Sequence, residues 1–313
     1  MTITQLHYIL AVAEYRNFTL AAERCFVTQP TLSMQIQKLE EELEIKIFDR
    51  NKKPIQLTEV GKKIVQQAKS IVNEAERIKD IVEQQKGFIG GDFKIGIIPT
   101  IMPTLLPMFL NAFIKKYPRI NLIIEEYTTD EIINRLRKGQ LDAAIAATPL
   151  NEADIKEIVL YYEPFVGYFP QEYRKDLQEL TPDDLNINDV LLLQDGHCFT
   201  NGILNLCKAS KLEPGRKFEL NSGSFETLIR LANEGLGVTL LPYLHTLNLN
   251  EHDRKNIMEF SDPKPSREVS LIFSKSELKL HIIEALRATI SGVVKGAITF
   301  QDIAIISPKI IKK

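Results

Sequence analysis

The chain has 313 residues, a hydrophobic share of 44%, a charged share of 26%, a formal charge of -2 and three cysteines. That length suits two or three domains, and the charge balance excludes a broadly basic protein that coats nucleic acid. Three cysteines exclude a disulfide framework, and with neither an apolar run of about 18 residues nor an export leader the chain is expected to stay in the cytoplasm and cross no membrane.

Ile3, Leu6, Ile9, Leu10, Val12 and Ala13 recur at helical spacing, and Phe18–Ala22 begins a second, short helix that ends near Phe26. A third follows at once. Thr28 sits at its N-cap, Pro30 fits its first turn, and Leu32, Ile36, Leu39 and Leu43 form one apolar stripe. Two helices joined this tightly predict a helix-turn-helix. The opposite face carries Thr31, Ser33, Gln35 and Lys38, side chains able to meet base edges or phosphates in a major groove. Residues 45–48 and 55–57 flank Asp49-Arg50-Asn51-Lys52-Lys53-Pro54 and predict a hairpin with a basic tip, a wing for phosphate. On spacing alone the same residues also read as a solvated helix face beside a charged turn. Cys25, beside Ala21 and Ala22, reads as a small buried hydrophobe.

Val60, Ile64, Ala68, Ile71, Ala75, Ile78 and Val82 form a heptad seam on a helix that Gly87, Gly90 and Gly91 end. Such a seam calls for a second copy of the chain, or for packing on its own domain. Beyond it, Phe93–Ile98 (strand), Pro103–Lys116 (helix), Ile120–Glu126 (strand), Asp130–Lys138 (helix) and Leu141–Ala147 (strand) alternate as in a parallel sheet covered by helices. A second alternating unit is expected, with strands near Val159–Tyr168, Val190–Leu193, Phe218–Leu220 and Val238–Leu241. Val269–Phe273 and a helix after Lys279 return to the first unit. Two lobes joined by more than one strand leave a cleft for a ligand. Thr100 and Thr129 are expected to face it or simply to cap helices.

Near residue 193 a strand ends, Asp195-Gly196 turns, and Cys198 opens a helix whose free N–H groups and dipole favour a thiolate. A thiolate attacks peroxide oxygen, and the sulfenic acid formed condenses with a second thiol. Cys207 lies nine positions on, about 13 Å along an intact helix, whereas a disulfide needs Cα atoms within roughly 7 Å. Joining the two therefore requires this segment to unfold in part. The same pair also reads as two structural thiols, or as part of a metal site if His245 or His252 joins His197, Cys198 and Cys207.

Phe18-Thr19-Leu20-Ala21-Ala22, Val27-Thr28-Gln29-Pro30-Thr31-Leu32-Ser33, Gln37-Lys38-Leu39-Glu40, Phe48-Asp49-Arg50 and Leu57-Thr58-Glu59-Val60-Gly61 resemble, in order and spacing, the winged helix-turn-helix of the LysR family. The resemblance implies an α/β protein: a winged helix-turn-helix (1–58), a linker helix (59–90) and a two-lobed α/β effector domain similar to periplasmic binding proteins (91–313). Lobe I would take about 91–162 and 268–300, lobe II about 163–267. It further implies that Thr28, Gln29, Pro30, Thr31, Ser33, Gln35 and Lys38 approach DNA while Arg50 anchors phosphate.

Asp195-Gly196-His197-Cys198 with Cys207 resembles the peroxide-sensing members of that family. This makes Cys198 the peroxide-reactive cysteine and Cys207 its resolving partner, with Thr100, Thr129, His197 and Arg267 in the pocket. Thr200 stands where those members carry a basic residue, so the thiolate would lean on the helix start, His197 or Arg267. The implied partners are double-stranded DNA, hydrogen peroxide, RNA polymerase, a thiol reductant such as glutaredoxin or thioredoxin, and further copies in a homodimer or homotetramer. Neither a cofactor nor enzymatic turnover is implied. The alternative is a regulator of the same family that answers a small organic effector in the cleft.

Overall fold

In the computed structural model each of the first three helices starts on a side-chain cap. Thr2 and Gln5 form a capping box for α1 (Ile3–Tyr15), Asn17 accepts from two N–H groups of α2 (Phe18–Arg24), and Thr28 accepts from Thr31 N–H in α3 (Gln29–Glu42). Leu32, Ile36 and Leu39 are buried as expected, but the stripe continues to Glu40 rather than Leu43. The helix ends at Glu42, and Leu43, its C-cap, is exposed. β1 (Phe48–Asp49) and β2 (Gln56–Leu57) pair antiparallel as the hairpin.

α4 (Glu59–Gln85) follows the hairpin closely, because at Gly61 a Cβ would stand 2.1 Å from the Ile47 carbonyl oxygen. Ala68 and Val72 are buried in the core formed by α1, α2 and α3, whereas Ile78 and Val82 are 65% and 46% exposed. The chain's own module thus covers the middle of the seam around Ala68 and leaves Val60, at 48% exposure, and the Ile78–Val82 end uncovered.

The structure describes residues 1–85, 90–174, 179–194, 198–207, 220, 222–298 and 303–308. Gly87, Asp195, Gly196, His197 and Phe218 lie outside the described residues. Two compact units form, Met1–Phe88 with Ser276–Leu278 and Ile89–Lys275 with Lys279–Lys313.

In the second unit β3 (Gly91–Ile97), α5 (Met102–Lys116), β4 (Ile120–Glu126), α6 (Thr129–Arg137) and β5 (Ala143–Thr148) alternate, with β3 parallel to both β4 and β5. The chain continues through β6 (Ile155–Tyr168), α7 (Cys198–Leu206), α8 (Phe225–Asn233), β7 (Thr239–Pro242), α9 (Tyr243–Thr246) and α10 (Glu251–Arg254). It closes with β8 (Ile257–Glu259), β9 (Lys264–Ser274), α11 (Leu280–Val294) and β10 (Ile303–Ile305). The sheet order is β4-β3-β5-β9-β6-β7, with β8 on β6 and β10 on β9.

Here the expectation of a second alternating unit is corrected. β7 and β8 pair antiparallel to β6, and β9 runs antiparallel to both β5 and β6. Val190–Leu193 makes a single bridge, Val190 to Val238, in place of a strand. Leu191 N–H donates to Val238 O at 2.7 Å, and two side chains supplement the bridge: Thr239 Oγ1 donates to Leu191 O at 2.9 Å and Thr200 Oγ1 to Leu193 O at 3.0 Å. Leu220 belongs to no strand.

Two apolar cores result, and β6 passes through both, with Ile155, Leu160 and Tyr161 in the first and Phe165, Val166 and Tyr168 in the second. α7 sits in the second core through Phe199, Ile203, Leu204 and Leu206. Its first residue, Cys198, packs in the first core instead. The thiol therefore sits where the two cores meet.

Candidate functional site

Cys198 is 8% exposed. Burial pushes its thiol pKa up, and the Arg267 charge, a hydrogen bond with Thr129 and the N–H groups of Phe199 and Cys198 pull it down. The helix start does contribute, but burial outweighs it, and the net shift is upward. At the far end of α7, Cys207 N–H donates to Ile203 O at 2.9 Å, so helical geometry runs through the second cysteine. Burial pushes the Cys207 thiol up to about 11.

Arg267 is held from several sides. Its Nε and Nη2 donate to Glu163 Oε2 at 2.9 and 2.7 Å, Nη1 to Thr100 Oγ1 at 2.9 Å, and Nη2 to Thr100 O at 3.0 Å. Its guanidinium lies 5.3 Å from the Phe199 ring centroid. Glu163 faces Arg267 across the β6–β9 ladder and accepts Leu244 N–H on its other oxygen at 2.9 Å. Both charged groups are buried, and an ion pair survives there only when bonds of this kind satisfy the remaining atoms.

Of the residues singled out from the sequence, the structure gathers Cys198, Thr129, Thr100 and Arg267. Neither threonine caps a helix. Thr128 does that for α6 in a box with Glu131, which leaves Thr129 half-buried at the first helical position, and Ile101, not Thr100, is the N-cap position of α5. Thr200 is buried and anchored to Leu193. His245 packs on Phe225 with ring centroids 5.1 Å apart, and His252 stands beside Asp253. Among the described residues no three His, Cys, Asp or Glu gather as a metal ion needs. Glu163 escaped the sequence reading although it carried a signal, a lone carboxylate inside the apolar run of β6.

On the helix-turn-helix, Gln29, Pro30, Thr31 and Lys38 are exposed. Thr28 bonds Thr31 through both side-chain oxygens at 2.8 Å, and Gln5 Nε2 donates to Gln35 Oε1 at 3.3 Å. Ser33 Oγ accepts from Arg50 Nη1 at 3.4 Å. Arg50 also donates to Glu40 at 3.2 Å and lies 5.1 Å from the Phe18 ring centroid. Buried Glu40 accepts the N–H groups of Ile47 and Phe48 on its other oxygen, so one carboxylate joins α3 to the hairpin. Its position on the stripe, four residues after Ile36, was the signal for that role.

Residues 3–62 match the bacterial regulatory helix-turn-helix proteins of the lysR family, and residues 86–294 match the LysR substrate binding domain. The DNA-binding transcriptional dual regulator OxyR of Escherichia coli is 31% identical over 297 residues, 93% of this chain and 97% of that one. A full-length OxyR variant from Pseudomonas aeruginosa is 34% identical with a TM-score of 0.71, covering 93% of this chain and 98% of the other. An OxyR mutant from Corynebacterium glutamicum, solved with hydrogen peroxide bound, is 27% identical with a TM-score of 0.60 over 97% and 98%. No helix among the described residues is long and apolar enough to cross a membrane.

Proposed function

The chain belongs to the LysR family of transcription regulators, and from that membership we propose that it senses hydrogen peroxide. It is a DNA-binding regulator and not an enzyme. In this reading peroxide oxidises Cys198 to a sulfenic acid, Cys207 condenses with it, and the disulfide changes promoter activation of antioxidant genes. The observation that carries the reading is α7. It begins on a thiol beside Arg267 and Thr129 and runs into a second thiol that an intact helix keeps out of reach. A disulfide therefore cannot form without remodelling α7, which is buried along most of its length. Relatives whose names cite peroxide support the same assignment.

The rest of the proposal follows from this mechanism. Thr28, Gln29, Pro30, Thr31, Ser33, Gln35 and Lys38 meet DNA, with Arg50 holding the wing and contacting phosphate. His197 and Thr100 join the peroxide pocket. A DNA-binding part (1–58), a linker (59–90) and two lobes divided near 162 and 267 act together. Two chains pair along the seam that Ile78 and Val82 leave uncovered, and two such pairs make a tetramer. RNA polymerase reads out the change in the cytoplasm, and a glutaredoxin- or thioredoxin-type reductant resets it.

The test is free-thiol counting with peptide mass mapping after equimolar peroxide, on the wild type and on Cys198→Ser. A Cys198–Cys207 disulfide in the wild type alone is expected. If both thiols stay reduced, the reading fails, and an organic effector in the inter-lobe cleft takes peroxide's place.

A further inference from the structure

Tyr161 lies on β6 two residues before Glu163, immediately after the irregularity in the β6–β9 ladder. Side chains alternate along a strand, so Tyr161 and Glu163 share a face, and the register adds Arg267 opposite Glu163 and Val269 opposite Tyr161. The ring is buried in the same apolar core as Cys198. Among the described residues, its hydroxyl is the one buried side-chain polar atom without a hydrogen-bond partner.

That orphan calls for an explanation. A phenylalanine would fill the core equally well, whereas a buried hydroxyl with no partner loses its water contacts and gains nothing in return. Burial and the Glu163 charge raise the phenol pKa, while Arg267 pulls it down. The same guanidinium acts on the Cys198 thiol. The phenol is thus a donor within the electrostatic reach of the same cation that acts on the thiol. Arg267 itself uses four of its five N–H groups on Glu163 and Thr100.

The geometry points to Tyr161 as a hydrogen-bond donor to the oxidant that reacts at Cys198, a role that rests on the peroxide reading above. Sulfur attacks one peroxide oxygen, the S–O bond forms as the O–O bond breaks, and the two electrons of sulfur reduce the departing oxygen. That oxygen takes up the thiol proton and leaves as water. Negative charge grows on it during the step, and the Tyr161 hydroxyl, which keeps its own proton, stabilises that charge.

The full chain with Tyr161→Phe tests the assignment, because the change removes one oxygen and keeps the ring. The rate of Cys198 oxidation by peroxide should fall about tenfold, as expected for a lost bond to a charged group. Alkylation of the same thiol by iodoacetamide should keep its rate, and the thermal midpoint should hold or rise. An unchanged peroxide rate in the variant, beside a reactive wild type, overturns the role of Tyr161 alone. Equal slowing of alkylation and oxidation overturns it as well, since the thiol and not the leaving oxygen would then be affected. A wild type inert to peroxide overturns both this inference and the reading beneath it.

Discussion

Burial and Arg267 act on Cys198 in opposite senses, and this opposition governs how the site answers pH. Its pKa is raised, so alkylation of Cys198 should keep accelerating with pH beyond the ordinary thiol range. Arg267→Met should move that profile further up. The same change leaves Glu163 buried without its counter-charge, at a cost on the order of 3–5 kcal/mol that a thermal melt would register. Stability follows the linked sign. Both thiols have folded pKa values above their unfolded ones, so the folded chain binds more protons in that interval. Their contribution is complete below the unfolded value of 9.0 and is lost as pH rises through the folded value, about 11 for Cys207. The thermal midpoint is expected to fall from pH 8 to pH 11, less steeply in Cys207→Ala. Equal slopes in the two proteins would remove Cys207 from this account.

Among the elements, α7 is fastened by more than its own core. Asn205 Nδ2 donates to Ser307 O at 2.9 Å, and the adjoining β10 lies on β9 through Ile306 N–H to Ser266 O at 2.8 Å. Asn205→Ala should loosen the helix by about 1 kcal/mol, so amides of 198–207 should exchange ~5-fold faster in the reduced protein. At the other end of the chain, Gly61→Ala drives a Cβ into a backbone oxygen and should destabilise the DNA-binding unit by about 1–3 kcal/mol, measured by its melt. Much of this architecture is legible in the sequence. The cap at Thr28 and the alternation from β3 to β5 are local, and so was the helix joining Cys198 to Cys207. What escaped depends on partners far along the chain. Glu163 meets Arg267 across 104 positions of sequence, and Val190–Leu193 makes a single bridge to Val238, 48 positions on, instead of a strand. Leu43 misled because the stripe's next buried position fell to Glu40.

Taken as a whole molecule, the chain binds DNA with one unit and carries Cys198 and Cys207 in another. The uncovered Ile78–Val82 end of the α4 seam is what a second chain would occupy. Ile78→Glu places a charge there and should shift the protein to monomers by sedimentation or light scattering, with the melt of the folded units unchanged. A dimer that persists would relocate the contact. In the dimer proposed above, which reads two half-sites about one helical turn apart, the uncovered residues would also set a dosage rule. Below the dissociation constant of the pair, operator occupancy grows with the square of chain concentration. Halving expression would then cost a promoter about three quarters of its bound regulator, and a cell could tune the strength of the response through copy number alone.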